Sequence, residues 1–155
     1  MSTGDARPPF IALVERVRRV LVADLESAAA ERGFPELRVS HNAVFATLRA
    51  EGSRVSDMAA RAGLAKQSMA AIVKDLEGLG LVTISPDPAD GRAKVVEYTE
   101  RGWDCVRGGE AYLREVEDSL ATLMGRERLA DLRGLLVTVA DHFETPRGEP
   151  GSENA

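Results

Sequence analysis

The sequence predicts a mainly α-helical fold with one small β hairpin, and two patterns lead to this prediction. Apolar residues recur at helical spacing both before residue 80 and after residue 99. Between these points, the β-branched stretches LVTIS and AKVVEYT flank the turn-rich segment PDPADGR, which is typical of a hairpin with a projecting loop. The 155 residues, of which 44% are hydrophobic, are enough for one globular domain.

Composition excludes several classes of protein. Cys105 is the only cysteine, so no internal disulfide can form, and the longest charge-free run, residues 39–48, is too short to span a membrane. We therefore expect a soluble, cytoplasmic protein without membrane contacts. His41 and His142 lack the ligand spacing of a metal site, and no arranged nucleophile is recognisable. Accordingly we expect no metal, no cofactor and no enzymatic activity.

The net charge of −5 is unfavourable for binding nucleic acid, but its distribution weakens that objection. Residues 1–53 and 54–102 each hold seven basic and seven acidic side chains, whereas residues 103–155 hold six basic and eleven acidic ones. The acidic excess lies entirely in the last third of the chain. A cationic surface in the middle is compatible with it, because charges are screened over about 8 Å at physiological salt.

The first helix is predicted from Phe10 to about Arg32, where Gly33 and Pro35 end it. One apolar stripe consists of Phe10, Leu13, Val14, Val17, Leu21, Leu25 and Ala28. A second stripe, on another face, consists of Ile11, Val22 and Ala29. Since one stripe is enough for an internal core, two stripes suggest that a partner chain covers this helix.

Three shorter helices are predicted before the hairpin. Ser40 is a fair N-cap for the first, and Ser56 can cap the second, which Gly63 ends. The third spans Ala65–Leu79, with a buried stripe of Met69, Ile72, Val73 and Leu76. Its opposite face presents Gln67, Ala70, Ala71 and Lys74. A face of small residues beside a glutamine and a lysine can approach another surface closely.

Two long helices follow the hairpin. Thr99 can cap the first of them, and Gly125 separates the two. The apolar residues of the second alternate spacings of three and four, which is the seam of a helix packed lengthwise on another helix. They are Leu129, Leu132, Leu136, Val139 and Phe143.

The order of elements and three short motifs point to a known family. Within residues 75–102, the segments DLEGLGLV, DPADGRAK and YTERG follow one another behind the two helices of a helix–turn–helix. On these motifs the chain resembles the MarR family of bacterial transcriptional regulators over about residues 10–143. The resemblance implies an α+β winged helix: a winged helix-turn-helix DNA-binding lobe with a helical dimerisation region built from the N- and C-terminal helices.

This resemblance also implies how the chain is organised. We expect a single MarR-like domain at residues 10–145, with disordered tails at 1–9 and 146–155. The lobe would span residues 40–99 with its wing at 81–99, and the dimerisation helices would span 10–35 and 100–144. Family members are typically homodimers, and a two-fold axis through two recognition helices calls for a pseudopalindromic site with half-sites about 10 bp apart.

Carried over residue by residue, the resemblance implies which side chains bind DNA. The recognition helix would enter the major groove with Lys66, Gln67, Ser68, Ala70, Ala71 and Lys74. In the wing, Arg92 and Lys94 would contact DNA, with Asp90 orienting Arg92. Helix starts beside the turn suggest Ser40, Arg54 and Ser56 as contacts to the DNA backbone.

We therefore expect a sequence-specific transcriptional regulator of double-stranded DNA, acting as a homodimeric repressor that responds to a small-molecule effector. Phe34, His41 and Phe45 are the candidates for lining an effector pocket. The alternative is a winged-helix module that binds a protein partner and little DNA, which the net acidity and the alanine-rich helix face favour. Cys105 has no second cysteine to resolve an oxidised state, so packing is its simpler interpretation.

Overall fold

The fold is seen in a computed structural model that describes residues 7–87, 90–91 and 93–144. Most of the predicted tails 1–9 and 146–155, and the wing residue Arg92, lie outside the described residues. The chain divides into two compact units, the first ending at Tyr112 and the second beginning at Leu113.

The described part of the chain contains six α-helices and three short strands, which confirms the predicted mainly α fold. The helices are α1 (Phe10–Glu31), α2 (Asn42–Phe45), α3 (Val55–Ala62), α4 (Lys66–Gly78), α5 (Glu100–Met124) and α6 (Arg126–Glu144). The strands are β1 (Ser53–Arg54), β2 (Val82–Pro86) and β3 (Lys94–Tyr98). No helix in these described ranges is long and apolar enough to cross a membrane.

The three strands form one antiparallel sheet in the order β1-β3-β2. The predicted hairpin is present, with Ile84 of β2 opposite Val96 of β3. Ser53 of β1 lies opposite Val96 on the other edge. Strand β1 was not predicted, because two residues carry no periodicity and their pairing depends on a partner more than 40 positions away in the sequence.

Two predicted helix starts are wrong. Ser40 does not cap a helix but lies within a 3-10 turn, Val39–His41. This turn begins directly after Arg38, because the ring of His41 accepts a hydrogen bond from the backbone N–H of Arg38. Ser56 is the second residue of α3 rather than its cap. The pairing of β1 holds Arg54 extended, so the helix begins directly after the strand.

Thr99 caps α5 as predicted. Its Oγ1 accepts the backbone N–H of Gly102 at 2.9 Å and donates to the carbonyl oxygen of Gly80 at 2.7 Å. One side chain thus closes the first turn of α5 and joins it to the turn that follows α4.

The hydrophobic core lies inside the first unit, between α4, the sheet and the helices around them. Its fully buried side chains come from α2, α3, α4, the turn after α4 and the strands. They include Val44, Met58, Met69, Val73, Leu76, Leu81, Val82 and Val96. The core therefore holds the helix–turn–helix and the sheet as one packed body.

Gly102 allows a close approach between α5 and the backbone at the start of β2. A Cβ atom at this position would lie 1.9 Å from the carbonyl oxygen of Leu81. We expect Gly102→Ala to lower the free energy of unfolding by about 2–3 kcal/mol, because backbone cannot yield as a flexible side chain can. Urea unfolding followed by circular dichroism measures this change.

Gly109→Ala is the matched control on the same helix, since a Cβ atom at Gly109 meets nothing within 4 Å. Removing a helical glycine without a clash is expected to raise stability by up to about 1 kcal/mol. If the two variants unfolded at the same urea concentration, the close approach at Gly102 would be contradicted.

Helix α1 presents apolar side chains to solvent, and only Ala28 of this helix is buried. The exposed members of its predicted stripes range from 41% for Val14 and Leu21 to 78% for Ile11. An amphipathic helix normally turns such residues towards a core. Most of the first stripe therefore does not serve this chain's own core.

Helix α6 shows the same feature within the second unit. Its predicted seam is 36–67% exposed at Leu132, Leu136, Val139 and Phe143, whereas Leu129 is buried. An ion pair between Arg133 and Glu117 joins α6 to α5 within this unit. Four seam residues thus remain open to solvent within this unit, as far as its residues are described.

Candidate nucleic-acid interface

Helix α4 is packed on one side and open on the other. Met69, Val73 and Leu76 are fully buried in the core. The six residues predicted to meet the major groove are all exposed: Lys66, Gln67, Ser68, Ala70, Ala71 and Lys74. The structure thus brings them together on one accessible helix, as the spacing predicted.

The first turn of α4 leaves its backbone donors without a side-chain cap. Ala65 occupies the N-cap position in an extended conformation and makes no cap hydrogen bond. The first N–H groups of a helix and the positive end of its dipole attract anions. At this position they lie beside the exposed side chains of Lys66, Gln67 and Ser68.

A buried histidine contacts α4 from the side of the 3-10 turn. His41 is 1% exposed, and its Nε2 lies 2.8 Å from Oδ2 of Asp75. Its Nδ1 accepts the backbone N–H of Arg38 at 3.1 Å, which leaves Nε2 as the nitrogen that donates to the carboxylate. This contact fixes α4 relative to the preceding turn, and sequence analysis missed it.

A second contact, made by Arg61, links α3 to its neighbours. Arg61 donates from Nη2 to the carbonyl oxygen of Thr47 at 2.7 Å and to Oγ of Ser53 at 3.1 Å. Together with the buried edge of α4, these contacts hold the helix–turn–helix rigidly. A rigid frame is what a helix needs to present side chains at fixed positions.

The wing is closed by backbone hydrogen bonds on both sides of its tip. Asp87 N–H donates to the carbonyl oxygen of Ala93 at 3.0 Å, and Ala93 N–H donates to that of Asp90 at 2.8 Å. Lys94 is exposed at the start of β3, opposite Pro86. Because Arg92 lies outside the described residues, its orientation by Asp90 stays a prediction.

The three predicted backbone contacts have different surroundings. Ser40 and Ser56 are exposed, and the Ser56 hydroxyl lies 3.3 Å from Oδ1 of Asp57. Arg54, by contrast, donates from Nε to Oδ2 of Asp87 at 2.6 Å. This hydrogen bond is the main reason why the pKa of Arg54 lies above its usual value.

The residues predicted to line an effector pocket each have partners within the protein. Both ring nitrogens of His41 are hydrogen-bonded, as described above. Phe34 lies under the guanidinium of Arg101, 5.4 Å from its ring centre, and Phe45 stacks on Tyr98 at 6.2 Å. A shallow groove of about 690 Å³ on the same lobe is lined by other residues: Asn42, Ala43, Ala46, Thr47, Arg61, Ala62 and Leu64.

Burial also affects two titratable groups near the base of α5. Desolvation raises the pKa of the Cys105 thiol to about 11 and that of the Tyr98 hydroxyl to about 12. Both groups are therefore neutral at physiological pH, and Cys105 lacks the thiolate character of a reactive cysteine. Among the described residues, no group of three or more His, Cys, Asp or Glu side chains is placed to hold a metal ion.

Comparison with known proteins identifies the lobe. Residues 37–93, which include the helix–turn–helix and most of the wing, match the sequence model of the MarR family. Over these residues the chain is similar to the MarR family. The resemblance predicted from the sequence motifs is thus confirmed, although no curated protein matches the chain significantly.

Solved structures of MarR-family regulators share the fold over most of the chain. A MarR-family transcription regulator superposes with a TM-score of 0.74 at 16% identity, covering 86% of this chain and 87% of that chain. The transcriptional repressor CouR bound to a 23-mer DNA duplex gives 0.72 at 23% identity, covering 90% and 98%. CouR from Rhodococcus jostii bound to p-coumaroyl-CoA gives 0.65 at 26% identity, covering 85% and 92%.

Proposed function

We propose that the protein is a sequence-specific transcriptional regulator that binds double-stranded DNA as a homodimer. The observation that carries this proposal is the open face of α4, where six small or hydrogen-bonding residues are exposed while the opposite edge is locked into the core. Such a helix fits the major groove, where Gln67 can pair with adenine and Lys66 or Lys74 can donate to guanine. The MarR-family lobe supplies the wing beside it.

The exposed apolar residues of α1 and α6 support the homodimer. Both helices carry apolar side chains that none of the described residues cover, with Ile11 and Phe143 more than half exposed. Large apolar surfaces of this kind mark contact with another molecule. A second copy of the chain supplies the same two helices, and a symmetric dimer then presents two recognition helices to a pseudopalindromic operator.

We also propose repression that a small molecule relieves. CouR is described as a repressor and was solved both with DNA and with p-coumaroyl-CoA. PcaV from Streptomyces coelicolor, solved with its natural ligand, superposes with a TM-score of 0.68 at 23% identity over 93% of this chain and 100% of that chain. An effector acts in this way only if it binds one spacing of the two lobes better than the other.

Salt dependence of binding tests the DNA function. Fragments bound by the full-length protein are first selected from genomic DNA, and affinity for the best duplex is then measured by fluorescence anisotropy at rising KCl. Each phosphate contact contributes about −0.9 to the slope of log K against log salt, so we expect a slope steeper than about −5 for a dimer. A shallow slope, or no selected fragment at low salt, would contradict the proposal.

That negative result would favour the alternative, a winged-helix module for a protein partner. The observation behind the alternative is the acidic excess of residues 103–155 and the net charge of −5. An acidic protein attracts DNA only through local cationic surface. A selection that recovers no DNA therefore separates the two functions directly.

A further inference from the structure

Arg54 joins the start of the helix–turn–helix to the wing. It is the last residue of β1 and the N-cap residue of α3. Its Nε and Nη2 atoms both lie 2.6 Å from Oδ2 of Asp87, which follows β2 at the base of the wing. Because β3 lies between β1 and β2 in the sheet, this side chain connects the two outer strands.

The two side chains of this pair differ in their exposure to solvent. The side chain of Asp87 is 10% exposed, whereas that of Arg54 is 40% exposed. A nearly buried carboxylate depends on its cationic neighbour, because burial of an uncompensated charge is costly. Asp57 and Asp90 also favour the charged form of Arg54 through their own negative charges. The guanidinium therefore lies in an acidic environment that already compensates its charge.

We infer that Arg54 is a positioning residue: through Asp87 it sets the wing relative to α3 and α4, and it does not bind a DNA phosphate. This inference rests on the proposed DNA-binding function and replaces the role predicted for Arg54 from its place at a helix start. Asp87 is well placed to transmit the effect, because its own N–H bonds to Ala93 on the returning side of the wing.

The two roles predict different behaviour in a double-mutant cycle. A phosphate contact works independently of Asp87, so removing Arg54 would cost the same affinity whether or not Asp87 is present. A positioning contact works only through Asp87, so removing Arg54 lowers the affinity little once Asp87 has been changed. The salt dependence differs as well, since only a phosphate contact releases a counterion.

The test compares Arg54→Gln, Asp87→Asn and the double variant with the wild type, using the selected operator duplex. We expect each single substitution to weaken binding by about 10-fold, and the double variant to be no weaker than the worse single one. The salt slope of Arg54→Gln should equal that of the wild type. Arg107→Gln is the matched control, because Arg107 forms a similarly short pair with Asp104 on α5, outside the wing, and its affinity should not change.

Hydrogen exchange of the DNA-free protein tests the positioning role separately. In Arg54→Gln, the amides of Asp87 and Ala93 should exchange about 10-fold faster, while amides in α4 stay protected. Arg54→Lys keeps the charge but offers a single amine in place of two N–H groups, and we expect an intermediate rate.

Two results would overturn the inference. One is unchanged exchange at Asp87 and Ala93 in Arg54→Gln. The other is that Arg54→Gln lowers affinity by the same factor whether residue 87 is aspartate or asparagine, while the slope of log K against log salt becomes shallower by about 1.8. That value corresponds to one lost phosphate contact in each of two subunits. If the wild type binds no DNA at all, the proposed function fails instead, and the exchange rates still report whether Arg54 holds the wing.

Discussion

Replacing Ala71 with glutamate is expected to weaken operator binding by about 100-fold or more, which corresponds to about 2.7 kcal/mol. Ala71 is exposed on α4 and lies one turn from both Gln67 and Lys74. In the proposed complex, a glutamate at this position adds bulk where the helix approaches the bases and a negative charge close to the phosphates. Fluorescence anisotropy with the selected operator measures the loss.

The fold should not change, because glutamate is nearly as good a helix former as alanine and the residue is exposed. Ala130→Glu is the matched control: Ala130 is exposed on α6, on the side away from the seam residues. It adds the same charge to the same kind of structure and should leave affinity within about two-fold. If Ala71→Glu bound the operator as tightly as the wild type, α4 would not be the helix that contacts the bases.

Leu136→Glu is expected to convert the proposed dimer into monomers at micromolar concentration. Leu136 lies in the middle of the α6 seam and is 46% exposed in the single chain. Burying an uncompensated carboxylate in an apolar interface costs several kcal/mol, and each 1.4 kcal/mol weakens association about tenfold. Sedimentation velocity measures the change in mass, and operator affinity should fall with it because each monomer reaches one half-site.

Val137→Glu is the neighbouring control. Val137 is 58% exposed on the same helix but lies on a different face from the seam. We expect this variant to remain dimeric and to keep its affinity for the operator. Dimers of unchanged stability in Leu136→Glu would show that the seam is not the subunit contact, and dissociation of both variants would place the contact on a different face of α6.

Several features of the site follow from short stretches of sequence. The spacing of Met69, Val73 and Leu76 identified the buried edge of α4, and with it the exposed face that carries Gln67 and Lys74. Thr99 was likewise enough to place the start of α5. The β-branched runs on either side of the turn segment were enough to place the two strands of the wing. In each case a residue's own type and its near neighbours decide the conformation.

Other features depend on residues that are distant in the chain. The contacts from His41 to Asp75 and from Arg54 to Asp87 join side chains 34 and 33 positions apart. Neither the residue types nor their spacing indicates such partners. Ser40 and Ser56 look like helix caps in isolation, yet the His41 ring and the pairing of β1 move both helix starts.

The chain's periodicity and turn residues were thus sufficient for most of the helices, the hairpin and the exposed face of α4, and its short motifs were sufficient for the resemblance to the MarR family. The packed molecule was needed to find β1, the contact beneath α4 and the pairing of Arg54 with Asp87. Local propensities act between residues a few positions apart, whereas the partner of a charged side chain is selected by whichever group the folded core brings within about 3 Å of it. Arg54 is the clearest case, because its place at a helix start suggested a phosphate contact and its neighbour in space is Asp87.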